Sequence, residues 1–298
     1  MESVRIKAYG KVNLGLDVTG KRPDGYHLVK MVMQTVDVYD VITVTGSQYL
    51  KAESIPEKYR ITINCDAADV PTDQTNLAYK AAQLICDEFD IRGDISISIE
   101  KHIPAAAGMA GGSADGAAVI QAMNQLFALR LSQEQKDAIA LKLGADVPFC
   151  LRKGTYLAEG IGEKLTRLDE IPHCYMIIVK PDFSISTPWA YKMLDTYLQE
   201  HGDGKSLHPD MDGLLTAINR KDLDQMAECM GNILELAAVP AHPQIQQIKD
   251  ELLAAGAVKS LMSGSGPTVF GIFKEEESAD KAYLNLKGGK YGKFKVEF

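Results

Sequence analysis

Four glycines, Gly108, Gly111, Gly112 and Gly116, fall within nine residues of the stretch HIPAAAGMAGGSADGAAVIQAMNQLF, residues 102–127, directly ahead of a helical pattern. Glycine loses more backbone freedom on folding than any other residue, so such a cluster implies that something must approach the main chain closely. A strand, a glycine-rich loop and a helix N-terminus together make an anion site, because unpaired N–H groups and the positive end of the helix dipole converge on one point. The loop is not a Walker A sequence, since no Gly-Lys-Ser/Thr follows, and its spacing is not G-x-G-x-x-G. Ser113 stands where its hydroxyl could cap the helix or touch a phosphate or metal ion. A tight turn with small residues for close packing explains the same letters. Farther along, Asp146 sits between a helix stop at Gly144 and Val147-Pro148. A carboxylate held in that bend could accept a proton from a bound hydroxyl, or could tie up backbone N–H groups.

The elements that would position these residues are legible in outline. In VRIKAYGKVNLGLDV, Val12, Leu14, Leu16 and Val18 share one parity and Lys11, Asn13 and Asp17 the other. A strand therefore places Lys11 and Asn13 on one face, opposite the core. GKRPDGYH is a turn, with Pro23 presetting φ and Asp24-Gly25 closing the reversal. Residues 27–46 read as extended strands, TNLAYKAAQLICDEF as a helix, and DISISIEKHIP as a strand that buries Ile95, Ile97 and Ile99. Val119, Ile120, Met123, Leu126 and Phe127 share a helical face after the glycine run. Ser132 and Gln135 have the spacing of a capping box, and Gly144 ends that helix. In the second half CYMIIVKP is a buried strand. STPWAYKMLDTYLQEHG is a helix with Thr187 as N-cap and Pro188 at the first helical position. Helical patterns continue through Leu214, Met226, Ile233 and Leu236, and VKSLMSGSGPTVFGIFK gives two strands around a glycine turn. Strands and helices mix without strict alternation, which favours an α+β fold, divided near residue 158 into domains 1–158 and 159–298.

Composition bounds the function. The 298 residues carry a net charge of −8, 46% hydrophobic and 24% charged side chains. That balance argues against non-specific nucleic-acid binding but leaves room for an anionic small ligand in a local pocket. Five scattered cysteines without a CxxC pair read as a reduced intracellular protein without zinc or disulfides. The first residues lack a signal-peptide core, and no run has the length of a membrane span.

PAAAGMAGGSAD resembles, in a longer form, the Pro-x-x-x-Gly-Leu-Gly-Ser-Ser ATP-binding motif of the GHMP kinase superfamily. The longer form is similar to the 4-diphosphocytidyl-2-C-methyl-D-erythritol kinase family of the non-mevalonate isoprenoid pathway. KVNLGLDVTGKRPDGYH, LGADVPFCL and SLMSGSGPTVFGIF agree with it in order. The Arg-Pro-Asp-Gly-Tyr-His signature is the most discriminating, since other GHMP kinases lack it. Met109-Ala110 replaces the usual Leu-Gly, and Ala114 the usual second serine. The resemblance implies a two-domain GHMP fold, with an S5 domain 2-like N-terminal domain and a ferredoxin-like C-terminal domain. It implies transfer of phosphate from ATP, with Mg²⁺, to the 2-hydroxyl of a cytidine diphosphate substrate. Asp146 becomes the general base, and Lys11 its partner, holding it ionised and stabilising the developing alkoxide. Pro104, Ala107, Gly108, Met109, Ala110, Gly111, Gly112 and Ser113 form the ATP loop, with Asn76 and Lys101 near adenine. Asn13, Tyr26, His27, Thr187 and Tyr191 take the substrate: the two tyrosines stack on cytosine, His27 reads its edge, and Asn13 orients the alcohol. Gly264, Ser265 and Gly266 make a second turn near the phosphates. No metal ligand is assigned in the protein. A small-molecule substrate, no nucleic acid, no membrane, a cytoplasmic location and an admissible homodimer complete the expectation. Another GHMP small-molecule kinase, a non-catalytic sensor on the same fold, and a nucleic-acid binder with an S5-like first domain are the competing readings; the last conflicts with the charge.

Overall fold

The computed structural model describes residues 2–48, 58–286 and 292–298. The chain divides into two compact units that interleave along the sequence. One draws on Met1–Gly10, Val38–Ala105 and Ala110–Lys153, the other on Lys11–Asp37, Ala106–Met109 and Gly154–Phe298. Two long strands, β1 (Glu2–Lys21) and β2 (His27–Gln48), contribute to both. The turn between them is the one the Pro-Asp-Gly sequence predicts: Arg22 N–H donates to Tyr26 O at 2.7 Å, and Gly25 takes φ +92°.

In the first unit β3 (Tyr59–Cys65) pairs in parallel with β4 (Gly93–Glu100), and β4 pairs antiparallel with the second half of β2, Ile42 opposite Ile99. Ile95, Ile97 and Ile99 are buried as their alternation predicts. Helices α1 (Leu77–Glu88) and α2 (Gly111–Leu126) approach through small residues: a Cβ on Gly116 would lie 3.4 Å from Leu77 O. Helix α3 (Gln133–Leu143) opens with the Ser132–Gln135 capping box and ends at Gly144; a short α4 (Val147–Cys150) follows.

In the second unit the first half of β2 pairs antiparallel with β5 (Thr155–Gly160), and β5 with β6 (Lys164–Arg167). A second sheet has the order β11-β7-β10-β9, from β7 (Tyr175–Lys180), β9 (Lys259–Met262), β10 (Val269–Phe273) and β11 (Gly292–Glu297). Helices α5 (Thr187–His201), α6 (Met211–Arg220), α7 (Leu223–Cys229), α8 (Glu235–Ala241), α9 (Gln244–Ala254) and α10 (Glu276–Asn285) complete it. Close packing of α6 on β1 needs Gly15, whose added Cβ would sit 2.6 Å from Leu214 Cδ2.

Two local expectations are corrected. The N-cap of α5 is Ser186, whose hydroxyl accepts from Trp189 N–H at 3.3 Å, so Thr187 is the first helical residue and its hydroxyl is released from capping. Ile233 lies outside any helix: it follows a two-residue strand, β8 (Gly231–Asn232), parallel to β1 with Gly15 opposite Gly231. A strand that short has no periodicity to read.

Asn232 on β8 holds the glycine turn between β9 and β10. Its amide nitrogen donates to Met262 O and Gly264 O at 2.8 Å each, and its Oδ1 accepts from Leu234 N–H at 3.0 Å. Replacing Asn232 by Ala leaves buried carbonyls unpaired, at about 1–3 kcal/mol each. The variant is expected to unfold at clearly lower urea than wild type with unchanged cooperativity; an unmoved midpoint contradicts this role.

Candidate active site

The loop from Pro104 to Ser113 takes left-handed backbone at three alternate positions: Ala106 has φ +47°, Gly108 +72° and Ala110 +58°. Only glycine adopts this conformation without penalty. At Gly108 the space is also closed, since an added Cβ would lie 2.3 Å from Ser263 O. Hydrogen bonds to main-chain oxygens fix the loop further: Ser263 Oγ donates to Gly108 O at 3.0 Å, and Lys11 N–H donates to Met109 O at 3.1 Å.

Helix α2 begins at Gly111 with Ala110 at its N-cap. Alanine offers no acceptor, so the first-turn N–H groups have no side-chain cap, as an incoming anion requires. Ser113, expected as a candidate cap, lies two residues inside the helix instead. The glycines answer to different demands. A Cβ on Gly111 would meet Ile103 Cγ2 at 3.0 Å, Gly116 serves helix packing, and Gly108 serves the loop tie. Gly112 alone of the four is open, an added Cβ meeting only Leu77 Cδ1 at 3.9 Å.

Lys11 and Asn13 were expected on the face opposite the core. They are instead buried, at 4% and 0% exposure, because β1 is covered on both faces along Gly10–Leu16. Alternation reports one covered face and is silent about a second. Lys11 Nζ donates to Asn13 Oδ1 at 2.6 Å, and Asn13 Nδ2 lies 3.5 Å from Met31 Sδ. A Cβ on Gly264, at φ +57°, would be 3.3 Å from both Lys11 Nζ and Asn13 Oδ1. The second glycine turn therefore lies against Lys11 and Asn13. Asp146 occupies the N-cap position of α4 with φ −80° and makes no capping hydrogen bond there.

Lys101 is not exposed beside the loop. Its ammonium is buried between Asp40 Oδ2 at 2.5 Å and Asp115 Oδ2 at 2.8 Å, two carboxylates that sequence reasoning missed. Asp40 Oδ1 also accepts from His102 and Ile103 N–H at 2.6 and 2.8 Å, which fixes the entry to the glycine loop. Burial works against the Lys101 charge, but attraction to Asp115 and Asp40 outweighs it and holds the ammonium above its ordinary value. Burial pushes Asp115 up to about 7; Lys101 pulls it down and Asp40 pushes it up. Asp115 Oδ1 is buried without a hydrogen bond. Asn76 caps α1: Oδ1 accepts from Ala78 N–H at 2.8 Å and Nδ2 donates to Pro71 O at 2.6 Å.

Of the expected base-stacking residues, Tyr26 is 60% exposed. The ring stacked on Tyr191 is His27, with centroids 4.8 Å apart and planes at 27°. His27 Nε2 is 2.7 Å from Asp195 Oδ1, and Lys21 Nζ is 2.5 Å from Asp195 Oδ2. Asp195 lies one helical turn beyond Tyr191, a spacing that could have drawn attention to it. Partial burial opposes its charge, but hydrogen bonds from Lys21 and His27 outweigh that and hold the carboxyl below its ordinary value. Thr187 Oγ1, freed from capping, pairs with Ser265 Oγ at 2.9 Å, joining α5 to the second glycine turn.

The arrangement has known counterparts. The family model for the GHMP kinases N terminal domain matches residues 76–154, and that for GHMP kinases C terminal matches residues 214–291. A protein of Lachnoclostridium phytofermentans named 4-diphosphocytidyl-2-C-methyl-D-erythritol kinase is 46% identical over 98% of this chain and 96% of its own. One of the same name from Lachnospira eligens is 47% identical over 97% and 96%. A crystal structure of 4-(cytidine 5'-diphospho)-2C-methyl-D-erythritol kinase superposes with a TM-score of 0.79 at 27% identity, covering 99% of this chain and 98% of that one.

The buried Asp115 predicts a pH effect. In the unfolded chain it ionises near the usual value of about 4, while the folded protein keeps its proton to about 7. The folded state therefore binds more protons across that window, and stability is lost as pH rises through it. Asp115→Asn removes the titration. Its melting temperature is expected to gain several degrees on wild type between pH 4 and pH 7.5, at about 2–4 °C per kcal/mol. Parallel melting curves across that range contradict the assignment.

Proposed function

The chain belongs to the GHMP kinases and, within them, to the 4-diphosphocytidyl-2-C-methyl-D-erythritol kinase family, and from that premise we propose that it phosphorylates the 2-hydroxyl of 4-diphosphocytidyl-2-C-methyl-D-erythritol with ATP, giving the 2-phosphate and ADP in the non-mevalonate pathway. The observation that carries the reading is the uncapped N-terminus of α2 with Gly112 open in its first turn, on a chain 46–47% identical to kinases of this name over nearly its whole length. Gly108, Ala110, Gly111, Gly112 and Ser113 hold the phosphates through main-chain N–H groups. Lys11, buried and oriented by Asn13, stabilises the alkoxide as it forms, and Asn13 orients the substrate alcohol. Asp146 takes the hydroxyl proton as the oxygen attacks the γ-phosphorus. Pro104, Ala107 and Met109 shape the loop, Asn76 and Lys101 support the nucleotide side, and Thr187 and Ser265 bridge toward the second turn with Gly264 and Gly266. Tyr26, His27 and Tyr191 form the cytidine subsite.

Mg²⁺, when bound with ATP, supplies charge neutralisation between the phosphates. Ser113, in the first turn of α2, would offer the ion a hydroxyl, and phosphate oxygens and water would supply the rest of its ligands. The division into an ATP-binding domain 1–158 and a C-terminal domain 159–298 is part of the same proposal, supported by family models on either side of residue 158. So is a cytoplasmic location, supported by five free cysteines; among the described residues no helix is long and apolar enough to cross a membrane.

Asp146→Asn is expected to leave ATP affinity intact and lower kcat by about 10²–10⁴; a variant keeping more than about a third of wild-type kcat removes Asp146 from the role. Gly112→Ala adds a methyl group where protein neighbours leave room and helix propensity favours it. Calorimetry is expected to show ATP affinity about tenfold weaker or worse, with melting temperature not lowered. Unchanged ATP affinity means that the phosphates lie elsewhere.

A further inference from the structure

The pairing of His27 with Asp195 has a consequence for what the base subsite can read, and it rests on the cytidine reading above. We propose that Asp195 is a specificity-determining positioning residue: it holds His27 in the tautomer with the proton on Nε2, and so makes Nδ1 an acceptor that takes a hydrogen bond from the amino group of cytosine and turns away the carbonyl of uracil.

A carboxylate only accepts hydrogen bonds, so the 2.7 Å contact requires His27 Nε2 to carry its hydrogen. Lys21 at 2.5 Å on the other oxygen keeps Asp195 ionised and oriented. In its neutral form the ring presents a lone pair at Nδ1, for which no protein partner exists among the described residues. Turning the ring over by half a turn would keep it on Tyr191 but would carry Nε2 away from Asp195, so the stack fixes the ring plane and the hydrogen bond fixes which edge faces the carboxylate. Tyr191 and Asp195, four residues apart on α5, hold the same imidazole by its face and by its edge. Cytosine and uracil differ where this matters: the first carries an amino donor, and the second a carbonyl acceptor, on the same carbon. A site with a fixed acceptor rejects an acceptor strongly, because both lone pairs would be desolvated without a proton between them.

The test uses the full chain at about pH 8.5, where an ordinary imidazole is neutral. Affinities for cytidine 5'-diphosphate, uridine 5'-diphosphate and ATP are measured by calorimetry for wild type, Asp195→Ala and Asp195→Asn. The ¹⁵N spectrum of the His27 ring is recorded without ligand. Wild type is expected to prefer the cytidine form by about tenfold or more and to show the Nε2–H tautomer. Asp195→Ala is expected to bring the preference below about threefold through lost cytidine affinity, with ATP unmoved and the ring signals shifted to a tautomer mixture. Asp195→Asn, whose Oδ1 can still accept, is expected to restore most of the preference. Retention of both preference and tautomer in Asp195→Ala overturns the proposal alone. Equal loss for all three nucleotides also overturns it, by reducing Asp195 to a structural ion pair. A wild type without base preference overturns the cytidine reading itself, and the proposal with it.

Discussion

The rest of the site depends on one main-chain approach: the glycine loop and the turn after β9 come so close at Gly108 and Ser263 that no Cβ fits between them. Such an approach cannot be made by side chains, and it accounts for the residues on both sides. Gly108 and Gly264 both need positive φ and both lie against backbone oxygen. Ser263 seals the contact with its hydroxyl, Lys11 joins it through its amide, and Asn232 fixes the turn from β8. Left-handed Ala106 and Ala110 carry a conformational cost on the order of 1–2 kcal/mol each, which this over-determined surrounding sustains.

Within each unit charge is held by burial. Lys11 is enclosed and donates to the amide oxygen of Asn13. Lys101, in the other compact unit, is shared by Asp40 and Asp115, and this triad ties β2, the residue that follows β4 and the second turn of α2 to one another. The overall charge of −8 is compatible with phosphate binding, since a helix N-terminus offers main-chain N–H donors whatever the net charge.

Much of this was legible in the sequence. The alternating isoleucines of β4, the capping box of α3, the Pro-Asp-Gly turn and the glycine hairpin all follow local rules, and local rules were sufficient for them. The interleaving of the two units was not legible, because it arises from β1 and β2 each serving both, a long-range property that periodicity does not encode. The burial of Lys11 and Asn13 was missed for the same reason. Asp40 and Asp115 stand 61 and 14 residues from Lys101, and no spacing rule connects residues that meet across a sheet and a helix. The departure at Ala110 acquires a meaning only in three dimensions: the usual glycine there matches a left-handed backbone that this chain reaches with alanine.

The role proposed for the main-chain cradle and the enclosed lysine is phosphoryl transfer to one alcohol of a cytidine diphosphate sugar alcohol. The most direct measurement is ³¹P NMR of the purified protein incubated with ATP, Mg²⁺ and 4-diphosphocytidyl-2-C-methyl-D-erythritol. A new phosphomonoester signal coupled to the substrate's C2 position, growing in step with ADP, is the predicted result. ATP consumption with no phosphate on the substrate, or phosphate on a different hydroxyl, would contradict it.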